Sequence, residues 1–234
     1  LWRCQKNIKM KDFILNKYNT LKYLFGALLL CFFLLVFRIK TTHDFFGLFL
    51  IWNLFLAFVP LGIAWYLQHK KSHINSVLKY ALLVLWLLFL PNAPYVITDL
   101  IHLAYSPLNW FIYDGITIAA FALFSLYFGF QSLIEVRKLF KPEIAEARLN
   151  IFTSGVLILC GFGIYLGRVV RFNSWDLITN PLDLFSTIGH YLINPIENKS
   201  VWLFTLGYGF FLNFSFFLFK MWKQNEILNK SYTV

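Results

Sequence analysis

The stretch LKYLFGALLLCFFLLVF, residues 21–37, carries one charged side chain, Lys22, near its start. A helix this apolar on every face offers nothing to water and has to be surrounded by lipid or protein. A hydrocarbon layer of about 30 Å takes about 20 helical residues to cross. Basic residues bound the run, from Lys6 to Lys22 on one side and Arg38-Ile39-Lys40 on the other. A basic start before an apolar run is also the pattern of a secretory signal. No small-x-small cleavage site follows, so the run reads as an uncleaved first span.

The pattern recurs along the chain. Apolar runs occupy 45–67, interrupted by Pro60 and Gly62; 78–90, stopped by Pro91-Asn92-Ala93-Pro94; 111–134, with Asp114 near one end; 151–166; and 201–219. Strands are excluded, because open sheet edges leave backbone groups unsatisfied in lipid. Of the 234 residues, 59% are hydrophobic, 21% aromatic and only 14% charged. A soluble domain carries about 25% charged residues, so this chain lacks the polar surface to cover its apolar mass. The expected fold is an all-α, polytopic membrane helix bundle of six spans.

Orientation follows from Lys and Arg. The N-terminal segment, the 67–79 and 135–150 loops and the C-terminal tail hold 16 of them, and the opposite loops hold 5. The positive-inside rule makes the first side cytoplasmic, and an even number of spans puts both termini there. The expected organisation is a basic cytoplasmic segment over 1–20, a six-span domain over 21–220 with outer loops at 91–110 and 168–200, and a cytoplasmic tail over 221–234. The cytoplasmic loops read as charged connectors, with Glu143, Glu146 and Arg148 on a solvated face. The formal charge of +10 does not indicate nucleic acid, since the basic residues form no contiguous face. Cys4, Cys31 and Cys160 show no paired spacing and read as small packing residues.

The unusual polar residues gather in the two outer loops. After Pro94 a helix can resume, and Tyr95, Asp99 and His102 then fall at i, i+4 and i+7 on one stripe, with Thr98 beside them. A carboxylate one turn from an imidazole sets its tautomer and basicity, which suits proton transfer or metal ligation. Asp114 is an intramembrane charge that needs a partner, and Arg168 with Arg171 is the expected one. These arginines lie three apart at the outer end of span five. Ser174 or Asn173 can cap a short helix after them. Asn180, Pro181 and Asp183 then open a second helix, 181–193, whose composition suits the membrane interface. One reading of this cluster is structural, with Asp99, Asp114 and Asp176 neutralising Arg168 and Arg171. The other is a pocket in which the arginines, Asn92, Tyr95, Asn173, Trp175 and Asp176 bind an anionic substrate and Asp99 with His102 does acid–base work. No metal site is assigned, His43 and His190 being lone surface histidines, and no cofactor is named.

Other motifs fail on context. Thr205-Leu206-Gly207-Tyr208-Gly209 matches four of five positions of a potassium filter. The apolar stretch after it is too short for an inner helix, so the glycines read as close-packing positions. Gly163 and Gly167 form a GxxxG step that lets another helix approach.

The stretches FLPNAPYVITDLIHL, 89–103, and GRVVRFNSWD, 167–176, resemble the bacterial membrane proteins grouped as domain of unknown function 1361. The resemblance covers about positions 25–220. It implies a bacterial inner-membrane location and no particular reaction. It nominates Pro91, Asn92, Pro94, Tyr95, Thr98, Asp99, His102, Arg168, Arg171, Asn173, Trp175 and Asp176. The leading functional expectation is an outer-face site for a lipid-linked or anionic small molecule. A non-catalytic scaffold or partner of another envelope protein is the alternative, as is a proton-coupled transporter using Asp114 and the Pro60/Gly62 break. The lipid bilayer is the partner common to all three.

Overall fold

The computed structural model describes residues 2–232 except Ser72, Pro142 and Ser174, with side chains for Tyr18 and from Leu21 to Asn225 apart from those three and Ile178. Cys4 and a cap by Ser174 therefore lie outside the described side chains. The described chain is helical and contains no strand: α1 (Trp2–Thr42), α2 (Phe49–His69), α3 (Ser76–Phe89), α4 (Asn92–Tyr95), a 3-10 helix (Val96–Tyr105), α5 (Phe111–Phe140), α6 (Glu146–Tyr165), a π turn (Leu166–Val170), α7 (Asp176–Thr179), α8 (Pro181–Ile193) and α9 (Lys199–Tyr232). Among the described residues six stretches are long and apolar enough to cross a membrane. Their outward side chains are those of a lipid-facing surface, with Phe33 at 64%, Leu123 at 67% and Phe210 at 76% exposure. A soluble protein does not leave such residues to water on every helix.

Two apolar clusters hold the bundle. Cys31, Leu35, Leu50, Leu54, Ile118 and Phe121 join α1, α2 and α5. Trp86, Leu90, Leu133, Leu157, Cys160 and Leu212 join α3, α5, α6 and α9. Both cysteines are free and buried, as packing residues are. The α6–α9 contact is backbone-close. A Cβ on Gly161 would lie 2.7 Å from the Thr205 carbonyl oxygen, and one on Gly209 would lie 2.9 Å from Ile158 Cα. The filter-like sequence is thus plain helix within α9. Gly209 serves packing, while a Cβ at Gly207 would meet nothing within 4 Å.

Three segments differ from the sequence-based expectation. The third span does not stop at Leu90: it runs from Ser76 to Tyr105, so most of the expected 91–110 loop is helix. Proline is disfavoured inside helices for its missing N–H and its ring, but its φ is already helical. Here Ala93 bonds back to the Leu90 carbonyl (3.1 Å) and Tyr95 to that of Pro91 (3.0 Å). The Asn92 side chain donates to the Phe89 carbonyl at 2.9 Å. Likewise α2 passes through Pro60 unbroken. Finally, the 135–150 connector is not purely solvated. Glu135 and Arg137 are buried, and Arg137 donates to Glu146 (2.6 Å), Asn150 (2.8 Å), Thr153 (2.6 Å) and the Leu149 carbonyl (2.8 Å).

The feature that builds the site is α4, a single turn wedged between two spans. A Cβ on Gly129 of α5 would lie 2.7 Å from Ala93 Cβ, and one on Gly163 of α6 would lie 2.7 Å from Pro91 Cγ. Only glycine at both positions lets the wedge in. Gly167 continues the same line, its Cβ position 3.2 Å from the Tyr95 ring. The GxxxG step of α6 therefore receives the Pro91–Tyr95 turn.

Candidate functional site

At the end of the bundle reached by α4 and the π turn, the two polar motifs meet. Arg168 projects from the π turn. Its Nε donates to Thr98 Oγ1 at 2.8 Å, and its Nη2 makes a short ion pair with Asp99. Its guanidinium lies 4.3 Å from the centre of the Tyr95 ring, a cation–π arrangement. Asn53 of α2 donates to the other Asp99 oxygen at 2.7 Å. Asp99 is 1% exposed, and these partners supply the pairing a buried carboxylate requires.

His102 lies beside this pair, its Nε2 being 3.5 Å from Arg168 Nη1 and 3.9 Å from Asp99 Oδ1. Its side chain is one-third exposed and its ring packs 4.7 Å from that of Phe49. The 3-10 winding explains the placement. At three residues per turn, Asp99 and His102 eclipse each other, whereas an α-helix would offset them. Thr98 reaches both partners, donating to the Tyr95 carbonyl at 2.6 Å while accepting from Arg168.

Asp114 has a different partner from the one expected. It pairs with Arg38, at 2.7 Å to Nε and 3.2 Å to Nη2, and accepts from Ser106 Oγ at 2.6 Å. Both side chains of the pair are 2% exposed, and the Trp110 ring lies 4.9 Å from the guanidinium. Arg38 closes span one, so in the sequence it is indistinguishable from a charge that sets orientation. Arg171 also departs from the expected shared face with Arg168. The π turn widens the helix, Arg171 takes a left-handed conformation (φ 73°), and it is exposed.

Beyond Arg171 the chain folds back over the site. Asp176 accepts from the Asn173 backbone N–H at 2.6 Å and from Thr179 Oγ1 at 3.0 Å. These bonds, that of Asn173 first, hold its carboxyl below the usual aspartate range. Helix α8 follows, with Pro181 in its first turn and no buried residue. Leu182 is 82% and Ile193 79% exposed, as expected of a helix lying in the membrane interface.

Between these elements lies a cavity of about 390 Å³. Asn92, Tyr95, Asn173 and Trp175 line it, as does Asn53, which the sequence reading missed. Asn53 was legible as the amide inside the otherwise apolar run IWNLFLAF, 51–58. Asp99, His102, Arg168 and Arg171 are not among the lining residues. Among the described residues no group of three or more His, Cys, Asp or Glu comes together as a metal site would require.

Six apolar spans with a polar cluster and a cavity at one end define a multi-pass helical membrane protein. Within that class the chain belongs to the family described as "Protein of unknown function (DUF1361)", whose profile matches residues 52–215 and so takes in both polar motifs. Comparison with curated proteins and with solved structures returns no match.

Proposed function

We propose that the protein binds a lipid-linked or anionic small molecule in this cavity, at the outer surface of a bacterial inner membrane with both termini cytoplasmic. The observation that carries the reading is the cavity. Its volume is in the range of small-molecule sites, and polar groups from separate elements converge on mostly apolar walls. Asn53, Asn92, Tyr95 and Asn173 are the groups placed to contact ligand. The Arg168–Asp99 pair is a charged support beside them, and Arg171, exposed and two residues before Asn173, is a cation available to an anion. His102 is more exposed than its charged neighbours, its side chain 33% accessible against 19% for Arg168 and 1% for Asp99. Acid–base work falls to it, with Asp99 fixing its orientation, on a ligand group that extends past the cavity lining at Tyr95.

A scaffold or partner-subunit role draws support from the same pair, since Asp99 is occupied by Arg168 and Asn53. The Arg38–Asp114 pair weighs against a carrier built on Asp114, because that carboxylate already has a buried counter-ion and does not line the cavity.

The test is native mass spectrometry of the protein purified in mild detergent, with thermal unfolding in the presence of decyl phosphate, dodecyl glucoside or glycerol phosphate. The expected result is a 1:1 adduct or a saturable rise in Tm that Leu184→Trp, filling the cavity from α8, removes. No adduct and no shift with any of the three would leave the scaffold role.

A further inference from the structure

The cavity is sorted by polarity along the membrane normal. Asn53 lies near the start of α2, Asn92 and Tyr95 lie in α4, and Asn173 follows the π turn, so its amides and phenol share one end. One to two turns deeper the lining becomes Leu56, Leu87, Leu88, Leu159 and Phe162. From Gly167 to Leu159 along α6 the cavity extends roughly 12 Å at 1.5 Å per residue. Its rim also faces the bilayer. Trp52 and Leu159 are each 53% exposed and Leu88 39%, and all three belong to membrane-crossing stretches. Leu184, Phe185 and Ile188 of α8 complete the lining. Finally, the polar lining is uncharged, and the nearest buried cation, that of Arg168, is already neutralised by Asp99.

From this arrangement we infer that the ligand is a membrane lipid with an uncharged, hydroxyl- or amide-bearing head, entering sideways from the bilayer beneath α8 rather than from water. The inference rests on the binding reading above and chooses between its two ligand classes. A hydrocarbon chain lies in the Leu56–Leu87–Leu159–Phe162 slot, where it replaces lipid contacts with equally apolar ones. The head takes hydrogen bonds from the three asparagines and Tyr95. These neutral donors and acceptors match hydroxyls and amides, and no lining residue supplies the bidentate cation that a phosphate selects. A water-soluble head alone gains nothing from the slot, so the chain is required for affinity.

The experiment is photolabelling of the protein in phosphatidylcholine vesicles with diazirine-tagged dodecyl glucoside, and separately with diazirine-tagged dodecyl phosphate, followed by peptide mapping. The glucoside is expected to label the slot peptides around Leu87 and Leu159. Free glucose should not compete. Leu159→Trp should cut labelling about tenfold or more, the loss for about 1.4 kcal/mol of binding. Leu159 faces lipid, so this substitution fills the slot without entering the core. Slot labelling by the phosphate in preference to the glucoside would overturn the neutral-head inference while leaving the binding reading intact. Competition by free glucose would overturn lateral entry. Labelling unchanged in Leu159→Trp, or confined to other surfaces for both probes, would overturn the inference and the binding reading together.

Discussion

Removing Arg168 is expected to destabilise the protein more than removing Asp99, although the two form one ion pair. Asp99 is 1% exposed and the Arg168 side chain 19%. In Arg168→Ala the carboxylate stays buried with the Asn53 amide, at 2.7 Å, and the His102 ring, no nearer than 3.9 Å, as its remaining partners. The stack on Tyr95 and the bond to Thr98 are lost as well. Breaking a buried pair in this way costs about 3–5 kcal/mol. In Asp99→Asn the arginine keeps Tyr95 and Thr98 and reaches water, so the loss is about 1.5–3 kcal/mol, that of one charge-assisted hydrogen bond. Replacing both, as Arg168→Met with Asp99→Leu, removes the unpaired charge and should recover most of the stability. The assay is equilibrium unfolding in mixed micelles with increasing dodecyl sulfate, followed by helical circular dichroism. Equal losses in the two single variants, with simple additivity in the pair, would refute the reasoning, because coupled neighbours do not add.

Gly163→Val and Gly129→Leu should each force α4 out of its wedge and lower Tm sharply. Gly155→Ala, where a Cβ meets nothing within 4 Å, should be neutral or stabilise by up to about 1 kcal/mol through helix propensity; similar Tm values for all three would remove the wedge account. Arg38→Ala should cost about 3–5 kcal/mol by stranding Asp114. Arg38→Leu with Asp114→Leu should fold better than Arg38→Ala, and the same unfolding assay decides between them. Asp176 has a depressed carboxyl pKa from its bonds to Asn173 and Thr179, so its contribution to the 173–179 turn is present at neutral pH and lost only as pH falls through that lowered value. Proteolysis of the turn should therefore be flat through neutral and mildly acidic pH and rise in strong acid, while Asp176→Asn should be cleaved faster already at neutral pH.

Much of the site was visible in the order of residues. Asn92, Tyr95, Thr98, Asp99, Arg168, Asn173 and Trp175 stand out because polar residues beside apolar spans are rare, and the structure gathers all seven at one end of the bundle. The partners of the charges were less legible. Arg168 and Arg171 were expected to neutralise Asp99, Asp114 and Asp176; Arg168 does pair with Asp99, but Asp114 pairs with Arg38. Arg38 was weighed as an orienting charge, although it is the buried counter-ion of Asp114. Pairing across 76 residues depends on which helix ends sit side by side, and one sequence does not carry that. Glu135 and Arg137 were hidden for a related reason. They lie in a charged segment that resembles any solvated connector until α6 and α9 pack over it.

The sequence by itself determined the class of fold, because the hydrophobic cost of exposing six apolar runs to water admits no other solvent than lipid. It also determined that polar groups would gather at the ends of the bundle, since charge is costly within the spans. The tertiary structure decided the rest. Gly129 and Gly163 admit a one-turn wedge only when their two helices stand on either side of it. The wedge carries helical geometry past two prolines into a 3-10 segment that stacks Asp99 under His102, and a π turn brings Arg168 across to meet them. Each of these steps depends on close packing between residues far apart in the chain, which local propensity does not encode.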